Sequence, residues 1–294
     1  MSTPLGVTLR PYTPADQTAV LHLINADRLP GQPPTTPAML HQALQGRSPV
    51  DAQWWAALDQ PTTEVVVEDT GAVFGVVSYA VRPKDDTGVI LWLHCGEAAR
   101  TADLLIRRAV AALAPRPVQA FQIASALSLG LEALPVRNRA VTDEALRRAG
   151  FTGERLWRYL RAALPTPGLP HAAHVHIGPA DDTGKNARRL EIRNGPDVVA
   201  EAVVGPPVHG IGVLWRIEVA PSARGQGLGR ALLGSALDVL TGLGATEVIL
   251  YVDDDAPAGD DRDRTAANRL YDSAGFIEID QLHSYTLAPT GHPR

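Results

Sequence analysis

A glycine-rich turn in the C-terminal half of the chain has the composition of a phosphate-binding site. It reads Arg-Gly-Gln-Gly-Leu-Gly over 224–229 and leads from an apolar run that ends at Val219 into a helix predicted over 230–240. The first N–H groups of a helix lack intrahelical acceptors and carry partial positive charge. Gly227 and Gly229 would let a ligand approach the main chain, and the arginine would add a cation. The pattern predicts a phosphate site, with a plain strand-to-helix connection as the alternative.

Two other phosphate-binding motifs, the P-loop and the dinucleotide-binding turn, differ from this turn in the spacing that they require. A P-loop requires Gly-Lys-Ser/Thr after four intervening residues, and no lysine follows these glycines. A dinucleotide-binding turn requires an acidic residue at the end of the next strand, and Asp253 and Asp254 do follow the strand predicted over 247–252. The choice between these sites therefore depends on motifs further along the chain.

Those motifs are an Asn-x-x-Tyr pair, Asn268 and Tyr271, and the Gly275-Phe276 that ends their segment. Residues three apart lie on one face of a helix, so Asn268 and Tyr271 are expected to point the same way. The order of strand, glycine-rich turn, helix, strand and Asn-x-x-Tyr helix resembles the GNAT superfamily of N-acetyltransferases. The resemblance implies acetyl-CoA as co-substrate and no metal.

The resemblance also implies a role for each matching residue. The strand formed by Ile217, Glu218 and Val219 would present a backbone amide to the thioester carbonyl, Asn268 would bond the pantetheine arm, and Tyr271 would protonate the leaving thiolate. The residues that would hold the pyrophosphate are Arg224, Gly225, Gln226, Gly227, Leu228, Gly229 and Arg230.

These roles agree with the chemistry of acetyl transfer. A fixed N–H at Val219 would stabilise the tetrahedral oxyanion. A phenol of pKa about 10 can donate a proton to a departing thiolate whose usual pKa is about 8.5. Glu218 is the nearest base that could deprotonate the incoming amine, directly or through water, although it could equally be a surface carboxylate. Tyr271 could likewise be an aromatic residue of the core.

A repeat indicates a second, N-terminal copy of the same unit. Residues 144–151 echo 269–276, and the run 91–94 echoes 214–217. The first copy is predicted to begin with a strand over 7–12, a helix over 14–26 and a hairpin that turns around Asp69-Thr70-Gly71. The predicted fold is α/β, with two tandem GNAT-like units, each a mixed, mostly antiparallel central sheet flanked by helices.

The first copy lacks the residues that would carry out the reaction. Its segment 98–105 has no glycines, Asp103 would repel phosphate, and Leu146 stands where the second copy has Tyr271. This copy is expected to be a scaffold, and acyl-CoA binding for regulation is the alternative.

The expected domains are a degenerate N-terminal domain over 1–164, a proline-rich linker over 165–171 and a catalytic domain over 172–290. The second copy has only the polar stretch 178–186 between its first two strands, where the first copy has helix-forming sequence. We therefore hypothesise that the N-terminal domain forms a wall of the acceptor site.

Composition limits the class of protein. The 294 residues are 45% hydrophobic, with a mean hydropathy of -0.04, and include no run long enough to span a membrane. A net charge of -5 argues against a general nucleic-acid binder. The single cysteine, Cys95, excludes an internal disulfide and is expected to be a buried apolar residue. The chain is expected to be cytoplasmic, as a monomer or homodimer.

Two polar clusters leave alternatives open. The aspartate-rich stretch 253–264 would be a solvated loop or would attract a cationic amine through Asp253, and Asp263 or Thr265 could cap the following helix. His171, His174 and His176 have spacing that zinc accepts, but no second cysteine or nearby third ligand accompanies them, so no metal is expected.

Together these patterns predict an acyltransferase, an N-acetyltransferase that moves acetyl from acetyl-CoA to the primary amine of a small molecule by direct attack in a ternary complex. The alternatives are a non-catalytic acyl-CoA-binding sensor or scaffold and a protein or peptide N-acetyltransferase. An intact Asn268 and Tyr271 disfavour the sensor, because a pure binding protein does not require an acid for a thiolate.

Overall fold

The computed structural model describes residues 6–180, 186–253 and 263–289. Its strands are β1 Val7–Pro11, β2 Thr62–Glu68, β3 Val73–Arg82, β4 Thr87–His94, β5 Val118–Ala120, β6 Leu134–Pro135, β7 Thr152–Ala163, β8 His176–Pro179, β9 Arg188–Asn194, β10 Asp197–Val208, β11 Ile211–Val219, β12 Glu247–Val252 and β13 Ile277–Leu287. Its α-helices are α1 Gln17–Ala26, α2 Pro37–Leu44, α3 Ala52–Trp55, α4 Ala99–Leu113, α5 Ala140–Arg148, α6 Leu228–Gly242 and α7 Thr265–Ser273.

The chain folds into two compact units whose boundaries differ from the predicted domains. Unit 1 consists of Met1–Leu156 with Gln281–Arg294, and unit 2 consists of Trp157–Asp280. The difference arises because the second part of β7 pairs with β12 in unit 2, whereas the second part of β13 pairs with β5 in unit 1. Each unit is therefore completed by a strand that follows the other unit in sequence.

The two sheets repeat one pattern of pairing. In unit 1 the strands β1, β2, β3 and β4 pair antiparallel in that order, β4 and β5 pair parallel, and β13 closes the sheet antiparallel. In unit 2 the order β8, β9, β10, β11, β12 and β7 has the same sequence of directions. This confirms the prediction of two mixed, mostly antiparallel sheets flanked by helices.

The two units differ in what covers the second face of the sheet. In unit 1, α1, α2 and α3 contribute to an apolar cluster with β2, β3 and β4. In unit 2, the main core lies on the face covered by α6 and α7. The other face carries a small cluster of Ala180, Ala187 and Val203, against which Trp215 packs. The short connection between β8 and β9 accounts for this difference.

Several expectations from the local sequence can be compared with the structure. The prediction of a helix over 14–26 is confirmed as a short 3-10 turn followed by α1, and Asp16 accepts a hydrogen bond from the Thr13 backbone N–H at 2.8 Å. The strand predicted over 247–252 is confirmed as β12. Cys95 is buried, as expected, and its burial raises the pKa of the thiol. No helix among the described residues is long and apolar enough to cross a membrane.

We expect unit 1 to lose stability between acidic and neutral pH because of Glu132. Burial, with a smaller contribution from the charge of Asp51, raises the pKa of Glu132 from 4.5 to about 7. A raised carboxyl pKa stabilises the fold fully below pH 4.5, and this contribution is lost as the pH rises to about 7. Glutamine cannot ionise, so the change in the free energy of unfolding caused by Glu132→Gln should be more favourable at pH 8 than at pH 4. The difference between the two effects should be roughly 2 kcal/mol.

Denaturant unfolding of the wild type and the variant at pH 4 and pH 8 measures this difference. Glu144→Gln is the matched control, because the side chain of Glu144 is 68% exposed. An equal effect of Glu132→Gln at both pH values would contradict the prediction.

Candidate active site

A cleft in unit 2 forms where two parallel strands separate. The strands β11 and β12 pair only between 211–213 and 247–249, although both continue beyond that pairing. The resulting cleft has a volume of about 860 Å³ and is lined by residues of both strands and of the turn and helices that follow them. Because the facing main chains no longer bond each other there, their N–H and C=O groups are available to a ligand.

A bulge bends β11 at the mouth of this cleft. In the pairing with β10, Leu214 lies opposite Val204 and Arg216 lies opposite Val203, so Trp215 is an extra residue. Its indole packs so closely against Gly205 that a Cβ there would lie 2.5 Å from Nε1. The bulge turns the rest of β11 away from β12 and so contributes to the separation.

The glycine-rich turn has the geometry predicted for phosphate binding. Gly225 and Gly227 both have a φ of 77°, in the left-handed region that favours glycine. The helix α6 begins at Leu228, and its first hydrogen bond runs from the Ala231 N–H to the Gly227 carbonyl at 3.1 Å. The N–H groups of 228–230 therefore have no acceptor within the helix and remain available for an anion.

The arginines of the turn are held in different ways. Arg224 donates from Nε to the Val219 carbonyl at 3.2 Å, which ties the turn back to the end of β11. Arg230 donates from Nη1 to Ser273 Oγ at 2.8 Å on α7. Both arginines line the cleft, and so do Gly225, Gly227, Leu228 and Gly229. Gln226 is exposed and is not among the lining residues.

Tyr271 lies on α7 with its side chain 5% exposed, and it lines the cleft. Its ring packs against Phe276, with 5.6 Å between centroids. Burial raises the pKa of Tyr271 to about 12. The hydroxyl bonds no residue of the described part of the chain, so it is a protonated group left available to the cleft.

Ile217, Glu218 and Val219 also line the cleft. Glu218 is exposed, and its carboxylate forms no ion pair or hydrogen bond within the described ranges. Ile217 and Val219 are partly buried and pack against the core of unit 2. The alternating directions of side chains along β11 thus place a free carboxylate between two residues that anchor the strand.

Asn268 is not among the residues that line the cleft. Its Nδ2 donates to the Asp253 carbonyl at 2.8 Å, and its Oδ1 accepts from Arg158 Nη1 at 2.8 Å. Asn268 therefore connects α7 to the end of β12. Its contact with the pantetheine arm stays a prediction.

Arg158, on β7, holds α7 through two hydrogen bonds and β13 through a third. Besides Asn268 it donates from Nε to Glu278 at 2.7 Å and from Nη2 to Asp272 at 3.0 Å. Its side chain is 13% exposed. Sequence reasoning missed this residue, because it lies 110 positions from Asn268 and no local pattern marks it.

Replacing Arg158 with Met is expected to lower kcat of the acetyl transfer proposed below about tenfold and to destabilise unit 2 by about 2 kcal/mol, because charge-assisted hydrogen bonds on α7 are lost. Arg161→Met is the matched control, since Arg161 lies on the same strand and pairs with Glu247 at the start of β12. Steady-state kinetics and denaturant unfolding measure both effects. Equal loss of kcat in the two variants would show that stability alone is responsible.

Acidic residues lie at one edge of the cleft. Asp253 and Asp263 line it, and Asp263 Oδ1 accepts from the Thr265 N–H at 2.9 Å, at the start of α7. Arg264 is the N-cap residue of α7 and has no capping side-chain bond, so Asp263 bonds the first N–H of the helix from the position before the cap. The rest of the acidic stretch, 254–262, lies outside the described residues.

The phosphate side of the corresponding gap in unit 1 is closed. Only residues 95–98 connect β4 to α4, whereas 220–227 connect β11 to α6. Glu97 accepts hydrogen bonds from the N–H groups of Val141 and Thr142 at 2.8 and 3.1 Å and so joins the connection to α5. Leu146 is fully buried, as befits a core residue at the position of Tyr271.

Asp103 does not lie at the phosphate position predicted for it. It lies within α4 and pairs with Arg148 at 3.0 Å. The connection before α4 is shorter than the turn before α6. Helix α4 therefore begins earlier than the comparison of the two sequence copies implied. Glu97 is the carboxylate that lies in the gap.

The described ranges contain no group of three His, Cys, Asp or Glu side chains that could hold a metal ion. Among the histidines weighed as ligands, His171 pairs with Asp238, with 2.7 Å between Nε2 and Oδ2.

Comparison with known proteins places this geometry in a family. Residues 154–276 match the model of the acetyltransferase (GNAT) family. A mycothiol acetyltransferase from Renibacterium salmoninarum is 39% identical over 80 residues, which cover 26% of this chain and 21% of that protein. A mycothiol acetyltransferase from Tsukamurella paurometabola is 54% identical over 87 residues, which cover 27% of this chain and 29% of that protein. The chain thus spans less than a third of the length of either curated relative.

A solved structure shares the fold over both units. The tandem GNAT protein from the clavulanic acid biosynthesis pathway matches with a TM-score of 0.61 and 15% identity, over 98% of this chain and 100% of that one. Identity this low shows the fold alone, and the likeness to the family rests on the match over 154–276. The chain therefore has the fold of a tandem GNAT protein, and its residues 154–276 match the GNAT acetyltransferase family.

Proposed function

We propose that unit 2 is an N-acetyltransferase that moves acetyl from acetyl-CoA to the primary amine of a small molecule by direct attack in a ternary complex. The observation that carries the proposal is that one cleft is lined both by the start of α6, with its free N–H groups, and by Tyr271, whose hydroxyl is unpaired within the described residues. A phosphate site and a proton donor together are what acetyl transfer from a CoA thioester requires.

The residues fit acetyl-CoA as co-substrate. The N–H groups of 228–230 with Arg224 and Arg230 would hold the pyrophosphate, and the separated strands would accept the extended pantetheine arm. A long polar arm needs main-chain partners, and the unpaired edges of β11 and β12 supply them.

The side chains then have distinct tasks. Glu218, directly or through water, accepts a proton from the ammonium group of the acceptor, so that the amine nitrogen can attack the thioester carbonyl. The Val219 N–H stabilises the oxyanion that forms with the C–N bond. When the C–S bond breaks, Tyr271 donates its hydroxyl proton to the departing thiolate.

The cleft favours a cationic acceptor. Glu218 and Asp253 both line it, and a carboxylate raises the local concentration of an amine that is protonated in solution. The aromatic side chains of Trp157 and Tyr251, with 5.6 Å between their ring centroids, line the same cleft and provide apolar surface for the body of a small molecule.

Thiol release from acetyl-CoA over a panel of amines tests the proposal. The panel contains polyamines, aminosugars, amino acids and short peptides, with acetylated products identified by mass spectrometry. Turnover with one small-molecule class is expected. Turnover with peptides alone would instead assign a protein or peptide acetyltransferase, and binding of acetyl-CoA without turnover of any amine would favour an acyl-CoA sensor.

An aminosugar–cysteine conjugate belongs in the panel as a specific candidate. The tandem arrangement is similar to that of mycothiol synthase, which acetylates such a conjugate, and the relatives matched over part of the chain are named mycothiol acetyltransferases. The amine of a cysteinyl aminosugar is therefore the first single compound to test.

A further inference from the structure

Unit 1 contains a cavity that the proposed acetyl transfer does not use. It has a volume of about 90 Å³ and lies among α1, β4 and the segment 121–135. Most of its lining is apolar, including Ile24, Leu29, Phe121 and Leu127. An apolar cavity with a few polar groups is the usual form of a small-molecule binding site.

One end of the cavity is polar and is formed by Asp27, His94 and Arg139. His94 Nδ1 lies 3.2 Å from Asp27 Oδ2, and Arg139 Nη2 lies 3.4 Å from the same oxygen. Burial lowers the pKa of His94, which favours the neutral ring. With Nδ1–H donating to Asp27, the other nitrogen, Nε2, is a hydrogen-bond acceptor.

Two polar atoms on cavity-lining residues lack protein partners. Within the described part of the chain, the buried Nε1–H of Trp92 has no acceptor. His94 Nε2 bonds no residue there either, but it is not one of the fully buried atoms, because the His94 side chain is 14% exposed. Trp92 is only 3% exposed, and its ring centroid lies 6.4 Å from that of His94. Buried polar atoms without partners are rare in native proteins and mark the place of an unseen partner.

The position of His94 in the fold relates this cavity to the candidate site of unit 2. The bulge in β4 makes Leu91 the extra residue between Ile90 and Trp92, just as Trp215 is the extra residue of β11. Counting from the two bulges, His94 takes the place of Glu218. Unit 1 thus retains a polar group on the acceptor side of its sheet, although Glu97 closes its phosphate side.

We propose that the cavity of unit 1 binds a small neutral molecule with a short alkyl body and a head group that both donates and accepts a hydrogen bond, such as a primary amide. The head group donates to His94 Nε2 and accepts from Trp92 Nε1, while the alkyl part contacts the aliphatic lining. The nearby charges of Asp27, Glu97 and Arg139 sum to one negative charge, so a carboxylate is disfavoured.

The size of the cavity sets the size of the probe. An apolar cavity of about 150 Å³ holds benzene, which has six non-hydrogen atoms, so a cavity of this volume accommodates about four. Acetamide and acetate have that size and nearly the same shape, and they differ in the head group. They therefore separate recognition of a neutral amide from recognition of an anion.

Titration of the full-length protein, labelled with ¹⁵N in its tryptophan indoles, tests the proposal. The Trp92 resonance is assigned with Trp92→Phe. Acetamide is expected to shift it saturably at millimolar concentration, and acetate is expected to bind at least tenfold more weakly. The absence of saturation, or equal shifts with both compounds, would overturn the proposal and leave ordered water as the occupant.

Two variants separate binding from folding. His94→Leu removes the acceptor and should weaken acetamide binding at least tenfold, and Leu131→Phe, at a partly exposed lining residue, should fill the space and abolish it. His41→Leu is the control, because His41 is exposed on α2 and does not line the cavity. Undiminished binding in Leu131→Phe, whose dispersed indole spectrum shows that it is folded, would place the ligand elsewhere.

Discussion

Tyr271→Phe is expected to lower kcat for acetyl transfer about a hundredfold, which is the range for loss of a general acid. The acceptor and acetyl-CoA should bind as before, so KM should change little. The hydroxyl has no partner in the described part of the chain, so its removal leaves no buried group unsatisfied. The free energy of unfolding should therefore change by less than about 0.5 kcal/mol.

The pH profile gives a second readout of the same residue. Because burial raises the pKa of Tyr271 to about 12, its hydroxyl stays protonated through pH 10. The wild-type kcat should therefore not fall between pH 8 and pH 10 through loss of this proton. An alkaline decrease that disappears in Tyr271→Phe would contradict the assignment.

Tyr159→Phe is the matched control for this substitution. Tyr159 is fully buried in unit 2, on β7, and it does not line the cleft. Its substitution should leave kcat within about twofold of the wild type. A similar kcat in Tyr271→Phe and Tyr159→Phe would remove Tyr271 from the mechanism and return it to the alternative of a core aromatic residue.

Gly227→Ala is expected to raise KM for acetyl-CoA about tenfold, with a smaller effect on kcat. At a φ of 77° a side chain is strained by roughly 1–2 kcal/mol, although no atom lies within 4 Å of the added Cβ. The turn relieves this strain by rotating the peptide groups that begin α6. Those groups carry the N–H donors proposed to hold the pyrophosphate, so anion affinity is lost with them.

The other end of the same helix provides the control. Gly244 has a φ of 91°, and a Cβ there would also meet no atom within 4 Å. Gly244→Ala should therefore cost a similar free energy of unfolding while leaving KM for acetyl-CoA unchanged. Calorimetric titration with acetyl-CoA and denaturant unfolding of both variants make the comparison. Equal changes in KM would mean that the turn contributes only stability.

Local sequence predicted the elements well. The alternation in the hairpin around 69–71, the apolar run of β11 and the glycines before α6 all depend on interactions between near neighbours, and the structure has strands and a helix at these places. The repeat likewise predicted two units of one fold, which the pairing of the two sheets confirms. These features follow from periodicity and turn chemistry, which act within a few residues.

Tertiary structure decided which strand completes each sheet and which distant residues bond the helices around the candidate site. The sequence placed a domain boundary at 165–171, but β7 hydrogen-bonds to β12 and β13 to β5, and strand pairing at such separation has no local signal. The same holds for Arg158, which reaches Asn268 across 110 positions, and for Glu97, which joins α5.

Residue type and local spacing therefore predicted the chemistry of the candidate site, whereas tertiary packing decided the burial and the hydrogen bonds of each group. The sequence by itself predicted Tyr271 and the glycine-rich turn as parts of the site. Only the tertiary structure shows that the Tyr271 hydroxyl has no partner among the described residues and that Asn268 hydrogen-bonds to Arg158 and Asp253. Only the tertiary structure shows that β11 separates from β12. The burial of a side chain and its hydrogen bonds depend on atoms brought together from distant parts of the sequence, so local patterns cannot predict them.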